Sequence, residues 1–190
     1  PYKNSTVLET IINKFKIAGV KNFYLTLNYK KNLIKSYINN KIDHINLDFI
    51  EEKKALGSAG AIAYLKTKMT KDFFLINCDT LANIDLEKVY KFHKNNKNDL
   101  TIIAAHKNFL IPYGSCVLNK SGEFEKIVEK KNYVELINIG MYVFSPKIPK
   151  KMSLNSKINM DQLIKKLKKL KMRIGVFPIN ENSWVDTGTL

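Results

Sequence analysis

The sequence is poor in cysteine and has no long apolar segment, and each scarcity excludes a class of protein. Two cysteines in 190 residues, Cys78 and Cys116, are too few for a disulfide framework and lack the spacing of a metal site. Both lie in apolar, strand-like segments, which predicts buried free thiols in a cytoplasmic protein. No apolar run approaches the ~20 residues that cross a membrane, and no signal peptide opens the chain. We therefore expect no membrane partner.

Arginine is also scarce, although the net charge is +15, from 32 Lys and Arg against 17 Asp and Glu. Such an excess of positive charge indicates either an anionic partner or lysines that are spread over solvent-exposed faces. The densest run, residues 165–171, lies within apolar residues at helical spacing and predicts an amphipathic helix with a basic outer face. Arg173 is the only arginine, and arginine is the preferred reader of base edges. We therefore expect a solvated basic surface and no nucleic-acid partner.

The first half of the chain alternates helical and strand-like patterns. Thr6-x-x-Glu9 is a capping box before an apolar stripe, and Asp85 is placed to cap a later helix. Helices are predicted between Thr6 and Gly19 and at 32–38, 59–66 and 86–93, with strands at 22–28, 45–50, 73–77 and 100–105. This order predicts an α/β fold: a mixed, mostly parallel sheet with helices on both faces.

The second half changes character. A turn at 119–122 joins 114–118 to 123–129 in a predicted antiparallel hairpin, and strands are predicted at 137–144 and 173–178. The amphipathic helix is predicted at 160–170. Because no repeat or low-complexity linker interrupts the sequence, we expect residues 1–190 to form a single domain.

Three segments stand where open α/β sheets bind ligands, beyond the carboxyl ends of strands. The segment 56–60 begins a helix with two glycines, which let the backbone approach an anionic or flat ligand; a tight strand-to-helix turn is the alternative. Asp79 ends the strand at 73–77, where a carboxylate suits Mg²⁺, although Asp also starts turns. Asp186 is a second carboxylate beside a glycine turn, and taken alone it is only a turn residue.

Together, six motifs follow the order and spacing of one enzyme family and span essentially the whole chain. They are Glu52 with Leu56–Ala61, Asn77-Cys78-Asp79, Tyr113-Gly114, Glu129-Lys130, Asn138–Phe144 and Trp184–Thr189. The chain resembles the sugar-1-phosphate nucleotidyltransferases, and most of all the mannose-1-phosphate guanylyltransferase-like branch that serves cell-surface sugar pathways. The resemblance implies a Rossmann-like nucleotide-diphospho-sugar transferase fold.

The resemblance also implies an activity: transfer of a nucleoside monophosphate from an NTP, with GTP favoured, to a sugar-1-phosphate, with release of pyrophosphate. Asp79 and Asp186 would hold Mg²⁺ between the two phosphates, and Lys130 would bind the sugar phosphate. These three are the implied catalytic residues. Glu129 would bind sugar hydroxyls, and a homo-oligomer is left open. The other implied contacts are Gly114 and Asn138 to the sugar and Leu56, Gly57, Ser58, Ala59, Gly60 and Asn77 to the nucleotide.

One departure from the family is large. Its first strand and the G-x-G-T-R-L loop that wraps the triphosphate have no counterpart in these 190 residues. That strand is central in the family's sheet, so we expect a gap with unpaired backbone groups. We also expect a natural protein that is longer at its front, and poor NTP binding with little or no turnover by this chain. Smaller departures are Lys131 in place of Pro and Cys78 in place of Gly.

Two other functions fit part of the pattern. A GT-A-like glycosyltransferase acting on an NDP-sugar normally carries Asp-x-Asp at the strand end, where this chain has Asn77-Cys78-Asp79. A non-catalytic module that keeps the fold suits the absent loop, but suits the retained Asp79, Lys130 and Asp186 less well.

Overall fold

The helices and strands follow the predicted order, in a computed structural model that describes residues 5–39 and 45–189. The first half contains α1 (Val7–Ile17), β1 (Asn22–Leu27), α2 (Lys31–Asn39), β2 (Asn46–Glu51), α3 (Gly57–Gly60), a 3₁₀ turn (Ala61–Leu65), β3 (Phe73–Ile76), β4 (Thr80–Ala82) and α4 (Leu86–Asn95). The second half contains β5 (Leu100–Leu110), β6 (Ser115–Leu118), β7 (Phe124–Val128), β8 (Asn132–Phe144), α5 (Lys147–Lys150), α6 (Met160–Lys169), β9 (Ile174–Ile179) and β10 (Trp184–Asp186). Within the described ranges, no helix has the length and apolar character needed to span a bilayer.

The helix caps read from the sequence are confirmed. Thr6 Oγ1 accepts a hydrogen bond from the backbone N–H of Glu9 at 3.2 Å, and the Glu9 carboxylate accepts one from the backbone N–H of Thr6 at 2.6 Å. Asp85 Oδ1 accepts from the backbone N–H of Lys88 at 3.0 Å. These bonds satisfy donors that a helix N-terminus otherwise leaves unpaired, which explains why both helices begin where they do.

The central sheet has four strands in the order β3-β8-β5-β9. Strand β8 is antiparallel to both β3 and β5, and β5 is parallel to β9. Three of the four strands therefore run in the same direction and β8 runs against them, which confirms a mixed sheet. Parallel pairing of β1 with β2 forms a second sheet, and two antiparallel pairs, β4–β10 and β6–β7, stand apart from both.

The expected interruption of the sheet lies between β1 and β3. These strands belong to different sheets, and no backbone pairing joins them in the part of the chain that the structure describes. Phe23 of β1 and Phe74 of β3 nevertheless pack against the same hydrophobic cluster.

The core lies on both faces of the central sheet because side chains alternate along β8. Met141 and Val143 face a cluster that includes α1 and α4, whereas Tyr142 and Phe144 face a cluster that includes the segment 59–63 and α6. Helix α6 buries Met160, Leu163 and Leu167, so its lysines lie on the outer face, as predicted. Helices on both faces are thus confirmed.

The structure differs from the predictions in the length of two strands and in the exposure of the cysteines, and the helix predicted at 59–66 is a short α-turn followed by a 3₁₀ helix. Strands β5 and β8 extend beyond the predicted 100–105 and 137–144, because they continue as a mostly exposed ribbon in which Leu110 pairs with Asn132. Such a ribbon has no continuous apolar run to mark it. The prediction of buried thiols is wrong, since Cys78 and Cys116 are both exposed. Cys116 lies on the two-stranded β6–β7 hairpin, and Cys78 lies just past the end of β3.

Candidate active site

Asp79 and Asp186 lie in adjoining segments although they are far apart in sequence. The chain leaves β3 at Ile76, turns through Asp79 and enters β4, which pairs with β10 so that Thr80 lies opposite Asp186. Both the backbone N–H and the Oγ1 of Thr187 donate to the backbone carbonyl of Asp79, at 3.0 and 2.9 Å. This pairing brings the two aspartates to the same edge of the molecule, beyond the carboxyl end of β3.

Gly188 lies between the two carboxylates. A β-carbon on Gly188 would lie 3.2 Å from Asp186 Oδ1 and 3.3 Å from Asp79 Oδ2, so these two oxygens are at most about 6.5 Å apart. The backbone N–H of Gly188 also donates to Asp186 Oδ1 at 2.9 Å. A side chain at this position would therefore be tight against both carboxylates, which would have to move by a few tenths of an ångström to admit it.

The carboxylate pair suits a hard divalent cation that takes its remaining ligands from a substrate. Among residues 5–39 and 45–189, no group of three or more His, Cys, Asp or Glu side chains forms a complete protein-made metal site. Mg²⁺ is commonly held by one or two carboxylates together with phosphate oxygens and water. The donor set of Asp79 and Asp186 fits that pattern.

A β-bulge in β8 connects Asn77 to Asn138. The β5–β8 register shifts where Ile103 pairs with Met141 and Ala104 with Asn138, so Ile139 and Gly140 are extra residues. The Gly140 carbonyl accepts from the backbone N–H of Asn77 at 2.9 Å, and its N–H donates to Asn138 Oδ1 at 3.1 Å. The bulge therefore places both predicted asparagines beside one residue, Gly140.

Gly140 and Thr80 support this site and were not predicted. Gly140 has φ +75°, and a β-carbon there would lie 2.5 Å from Asn77 Nδ2, so both conformation and space require glycine. Thr80 is buried, and its Oγ1 donates to the carbonyl of Ile139 at 2.8 Å, which ties β4 to the bulge. An isolated glycine within a strand pattern is the sequence signal of such a bulge.

The hairpin end brings together Gly114 and Glu129. Ser115 pairs with Val128, and a β-carbon on Gly114 would lie 2.6 Å from Glu129 Oε1. Lys130 follows with φ +47°, and both charged side chains are exposed. Neither Glu129 nor Lys130 forms a hydrogen bond or ion pair through its side chain with another described residue, so no such contact joins them to Asp79.

The segment 56–60, whose glycines were predicted to let a ligand approach, packs tightly against other residues of the chain. Leu56 is 1 % exposed. A β-carbon on Gly57, where φ is +77°, would lie 2.5 Å from Asn159 Oδ1, and one on Gly60 would lie 2.8 Å from the carbonyl of Ser156. Both glycines are therefore required by contact with residues 156–159. The contact of this segment with a nucleotide remains a prediction.

Further hydrogen bonds hold the segment 56–60 in place. Glu52 Oε2 accepts from the backbone N–H of Leu56 at 3.0 Å. Ser58 Oγ accepts from the backbone N–H of Met160 at 2.9 Å. Within the segment, Ser58 is exposed and Gly57 is partly exposed, so these two positions remain accessible from solvent.

Two titratable groups near the site have shifted pKa values. Cys78 is exposed as a residue, but surrounding protein atoms partly shield its thiol from water, which raises the pKa of the thiol, and the neighbouring Asp79 carboxylate raises it further. Burial also raises the pKa of Tyr142, against the effect of the hydrogen bond that its hydroxyl accepts from Asn138 Nδ2 at 2.7 Å. Cys78 therefore responds to the charge state of the carboxylate beside it.

Comparison with known proteins places this chain in a family. The Nucleotidyl transferase family matches the chain over residues 1–190. D-glycero-alpha-D-manno-heptose 1-phosphate guanylyltransferase of Campylobacter jejuni is 28 % identical over 192 residues, covering 99 % of this chain and 83 % of that protein. Mannose-1-phosphate guanylyltransferase catalytic subunit beta of Xenopus tropicalis is 27 % identical, and the match covers 76 % of this chain but only 42 % of that protein.

Solved structures of nucleotidyltransferases resemble this chain in fold. HddC from Yersinia pseudotuberculosis has a TM-score of 0.72 at 25 % identity, with 95 % of this chain and 79 % of that chain covered. The inositol-1-phosphate CTP transferase from T. maritima has a TM-score of 0.67 at 18 % identity over 96 % of this chain and 77 % of that chain, a likeness of fold alone. The chain therefore belongs to the nucleotidyl transferase family, among its sugar-1-phosphate nucleotidyltransferases.

Proposed function

We propose that the protein transfers a nucleoside monophosphate from GTP to a hexose- or hexosamine-1-phosphate and releases pyrophosphate, in the cytoplasm. The observation that carries the proposal is the approach of Asp79 and Asp186 on either side of Gly188, beyond the carboxyl end of β3. Both reactants are anions, so the protein's main tasks are charge neutralisation and positioning. A carboxylate pair that can share one divalent cation serves both tasks.

Asp79 and Asp186 would hold Mg²⁺, and their donor chemistry fits it. When bound, this ion neutralises phosphate charge and fixes the relative orientation of the two reactants. The Thr187 bonds to the Asp79 carbonyl and the Gly188 bond to Asp186 hold the two carboxylates in place before a ligand arrives. Such preorganisation lowers the cost of ordering the site during the reaction.

The remaining predicted residues divide into two groups. Lys130 would bind the sugar phosphate as a point charge, and Glu129 would accept from sugar hydroxyls, with Gly114 and Asn138 lining the pocket. Asn77 and the segment 56–60 would face the nucleotide. Since Lys130 lacks an ion-pair partner among the described residues, its charge is available to an incoming phosphate.

Guanine is the favoured base because of the relatives. Two of them are named as guanylyltransferases, and HddC, at 24 % identity, was also solved in complex with GMP-PN. A panel of GTP, ATP, CTP and UTP tests this choice, with GTP expected to bind most tightly. Equal binding of all four would contradict the guanine assignment while leaving the transferase class intact.

The decisive experiment measures Mg²⁺-dependent GTP binding by calorimetry, because the two carboxylates are proposed to act through the cation. Asp79→Asn or Asp186→Asn should weaken Mg²⁺-dependent binding by about tenfold or more, since each removes a charged ligand. Asp85→Asn is the matched control, because Asn still caps α4 and lies outside the site. Unchanged Mg²⁺ dependence in both site variants would overturn the proposal.

Turnover is tested separately by pyrophosphate release with a panel of sugar-1-phosphates. Product formation from one hexose- or hexosamine-1-phosphate would identify the acceptor. Failure to bind any NTP or sugar-1-phosphate would instead favour a non-catalytic module, and sugar transfer from an NDP-sugar would favour a glycosyltransferase.

A further inference from the structure

A second cleft, of about 680 Å³, lies at the end of the central sheet opposite Asp79. Its residues include Asp72, which precedes β3, Asp99, which precedes β5, and Ser145, which follows β8. Because β8 is antiparallel to β3 and β5, these three positions meet at one edge, where Phe144 pairs with both Phe73 and Leu100. The cleft is therefore separate from the proposed active site.

Two buried polar atoms in this cleft have no hydrogen-bond partner among the described residues. His93 is 1 % exposed and Ser145 is 5 % exposed, and both line the cleft. Neither His93 Nε2 nor Ser145 Oγ forms a hydrogen bond there. Buried polar groups are nearly always satisfied, so two such atoms in one cleft point to a polar ligand or to water.

Hydrogen bonding around His93 allows Nε2 to be the protonated ring nitrogen. Its Nδ1 lies 2.8 Å from Thr101 Oγ1, and Thr101 Oγ1 accepts from Asn98 Nδ2 at 3.0 Å. The Thr101 hydrogen can then go to Nδ1, which leaves the ring hydrogen on Nε2. The nearest carboxylate oxygen, on Asp72, is 3.9 Å from Nε2, too far for a hydrogen bond.

The charge in the cleft is positive. Asp72 is paired with Lys94 at 2.9 Å, and Asp99 is paired with Lys147 at 3.1 Å. The other two lysines of the cleft, Lys71 and Lys97, make no ion pair with a described residue. The cleft therefore contains two buried groups that can donate hydrogen bonds and have no hydrogen-bond acceptor, and two lysines that no carboxylate neutralises. This combination suits an oxyanion, which only accepts hydrogen bonds and is negatively charged.

We propose that this distal cleft binds a phosphate-type oxyanion, with His93 Nε2 and Ser145 Oγ donating to it. The ion is either free phosphate or pyrophosphate, or the phosphate group of a small phosphorylated compound. The cleft is larger than one phosphate group, so its volume allows both sources. The proposal does not depend on the proposed transferase activity, because it uses none of the residues of that site.

The test follows His93 by NMR while phosphate, pyrophosphate, GMP or a sugar-1-phosphate is added to the full chain. The His93 ring signals should shift saturably, and the ligand that saturates them at the lowest concentration identifies the source. His106, which is exposed on the outer part of β5, is the internal reference. Absence of any saturable His93 shift with all four ligands would overturn the proposal and leave water in the cleft.

Three variants locate the binding. Ser145→Ala should weaken it about fivefold through one lost neutral hydrogen bond, and Lys97→Gln should weaken it about tenfold. Lys120→Gln removes the same charge from the remote 119–122 turn and should leave affinity unchanged. Equal weakening by the two lysine variants would indicate general charge attraction and contradict a built site.

Asp79→Asn separates the two sites of the chain. The His93 response should persist in this variant, since the distal cleft contains no part of the carboxylate pair. Loss of the response in Asp79→Asn would place the ligand at the active site and overturn the proposal.

Discussion

The backbone carbonyl of Asp79 accepts two hydrogen bonds from Thr187, one from the peptide N–H at 3.0 Å and one from Oγ1 at 2.9 Å. The two residues are 108 positions apart in sequence. Because Thr187 directly follows Asp186, this contact sets the distance between the two aspartates. The metal-binding geometry that we propose depends on a backbone clamp as well as on the carboxylates themselves.

Thr187→Val should loosen this clamp, because it removes the Oγ1 donor while keeping the shape of the side chain. We expect about 1 kcal/mol of lost stability and weaker Mg²⁺-dependent GTP binding. Thr187→Ser keeps the hydroxyl and should bind as the unmodified chain does. Urea unfolding and calorimetry measure the two effects, and equal GTP affinity in the Val and Ser variants would contradict the role of the hydroxyl.

Gly188→Ala should disturb the carboxylates directly. Its new methyl group would lie 3.2 Å from Asp186 Oδ1 and 3.3 Å from Asp79 Oδ2. Because Asp79 is exposed and Asp186 is partly exposed, this tight contact should push the carboxylates apart more readily than it unfolds the chain. We expect several-fold weaker Mg²⁺-dependent binding of GTP, with little change in the melting temperature. A large drop in melting temperature with intact binding would show that Gly188 serves the fold instead.

Gly140→Ala should be strongly destabilising, and the chain offers a matched control. Gly140 and Gly122 both have positive φ, +75° and +85°, but a β-carbon at Gly122 would meet nothing within 4 Å, whereas one at Gly140 would lie 2.5 Å from Asn77 Nδ2. We expect about 1 kcal/mol of lost stability for Gly122→Ala from backbone strain alone, and more for Gly140→Ala. Equal losses in urea unfolding would mean that Asn77 moves aside without cost.

The elements that were predicted well carry local signals. The Thr6–Glu9 box, the Asp85 cap and the spacing of Leu163 and Leu167 each depend on residues within two helical turns. Apolar strands such as β3 are marked by their composition. Periodicity and capping chemistry are properties of short windows, so a single sequence is enough to read them.

The features that were missed depend on distant contacts. A side chain at Gly57 would collide with Ile158 and Asn159, and a side chain at Gly140 would collide with Asn77. The residues next to each glycine in the sequence do not indicate which distant residue it contacts. The incorrect prediction that Cys116 is buried has the same origin, because an apolar strand is buried only if another layer of the protein covers it.

Cys78 provides a chemical probe of the charge on Asp79. Partial shielding of the thiol from water raises its pKa although the residue is exposed, and the Asp79 carboxylate adds to this rise, so the thiolate fraction at pH 8 is small. In a Cys116→Ser background, Asp79→Asn should lower the pKa of Cys78 and speed its alkylation by iodoacetamide at that pH. Measuring the rate from pH 7 to 10 tests this, and superimposable profiles would rule out the electrostatic coupling.

His93 should make the stability of the fold depend on pH. Burial lowers the pKa of His93, against the opposite effect of Asp72, so the unfolded chain binds a proton more readily than the folded chain does. Stability therefore rises with pH between the folded and the unfolded pKa. The contribution of His93 is fully present above its unfolded value of about 6.5 and is lost as the pH falls through the lowered folded pKa.

Urea unfolding at pH 7.5 and 5.5 isolates this contribution when the chain is compared with His93→Gln. The variant loses the titrating ring, so its loss of stability between the two pH values should be smaller, whatever its absolute stability. The other titratable groups are common to both chains, so the difference in slope reports His93 alone. Identical slopes would mean that the buried ring accepts its proton as easily in the folded chain as in the unfolded one. That outcome would also weaken the assignment of Nε2 as a buried neutral donor in the distal cleft.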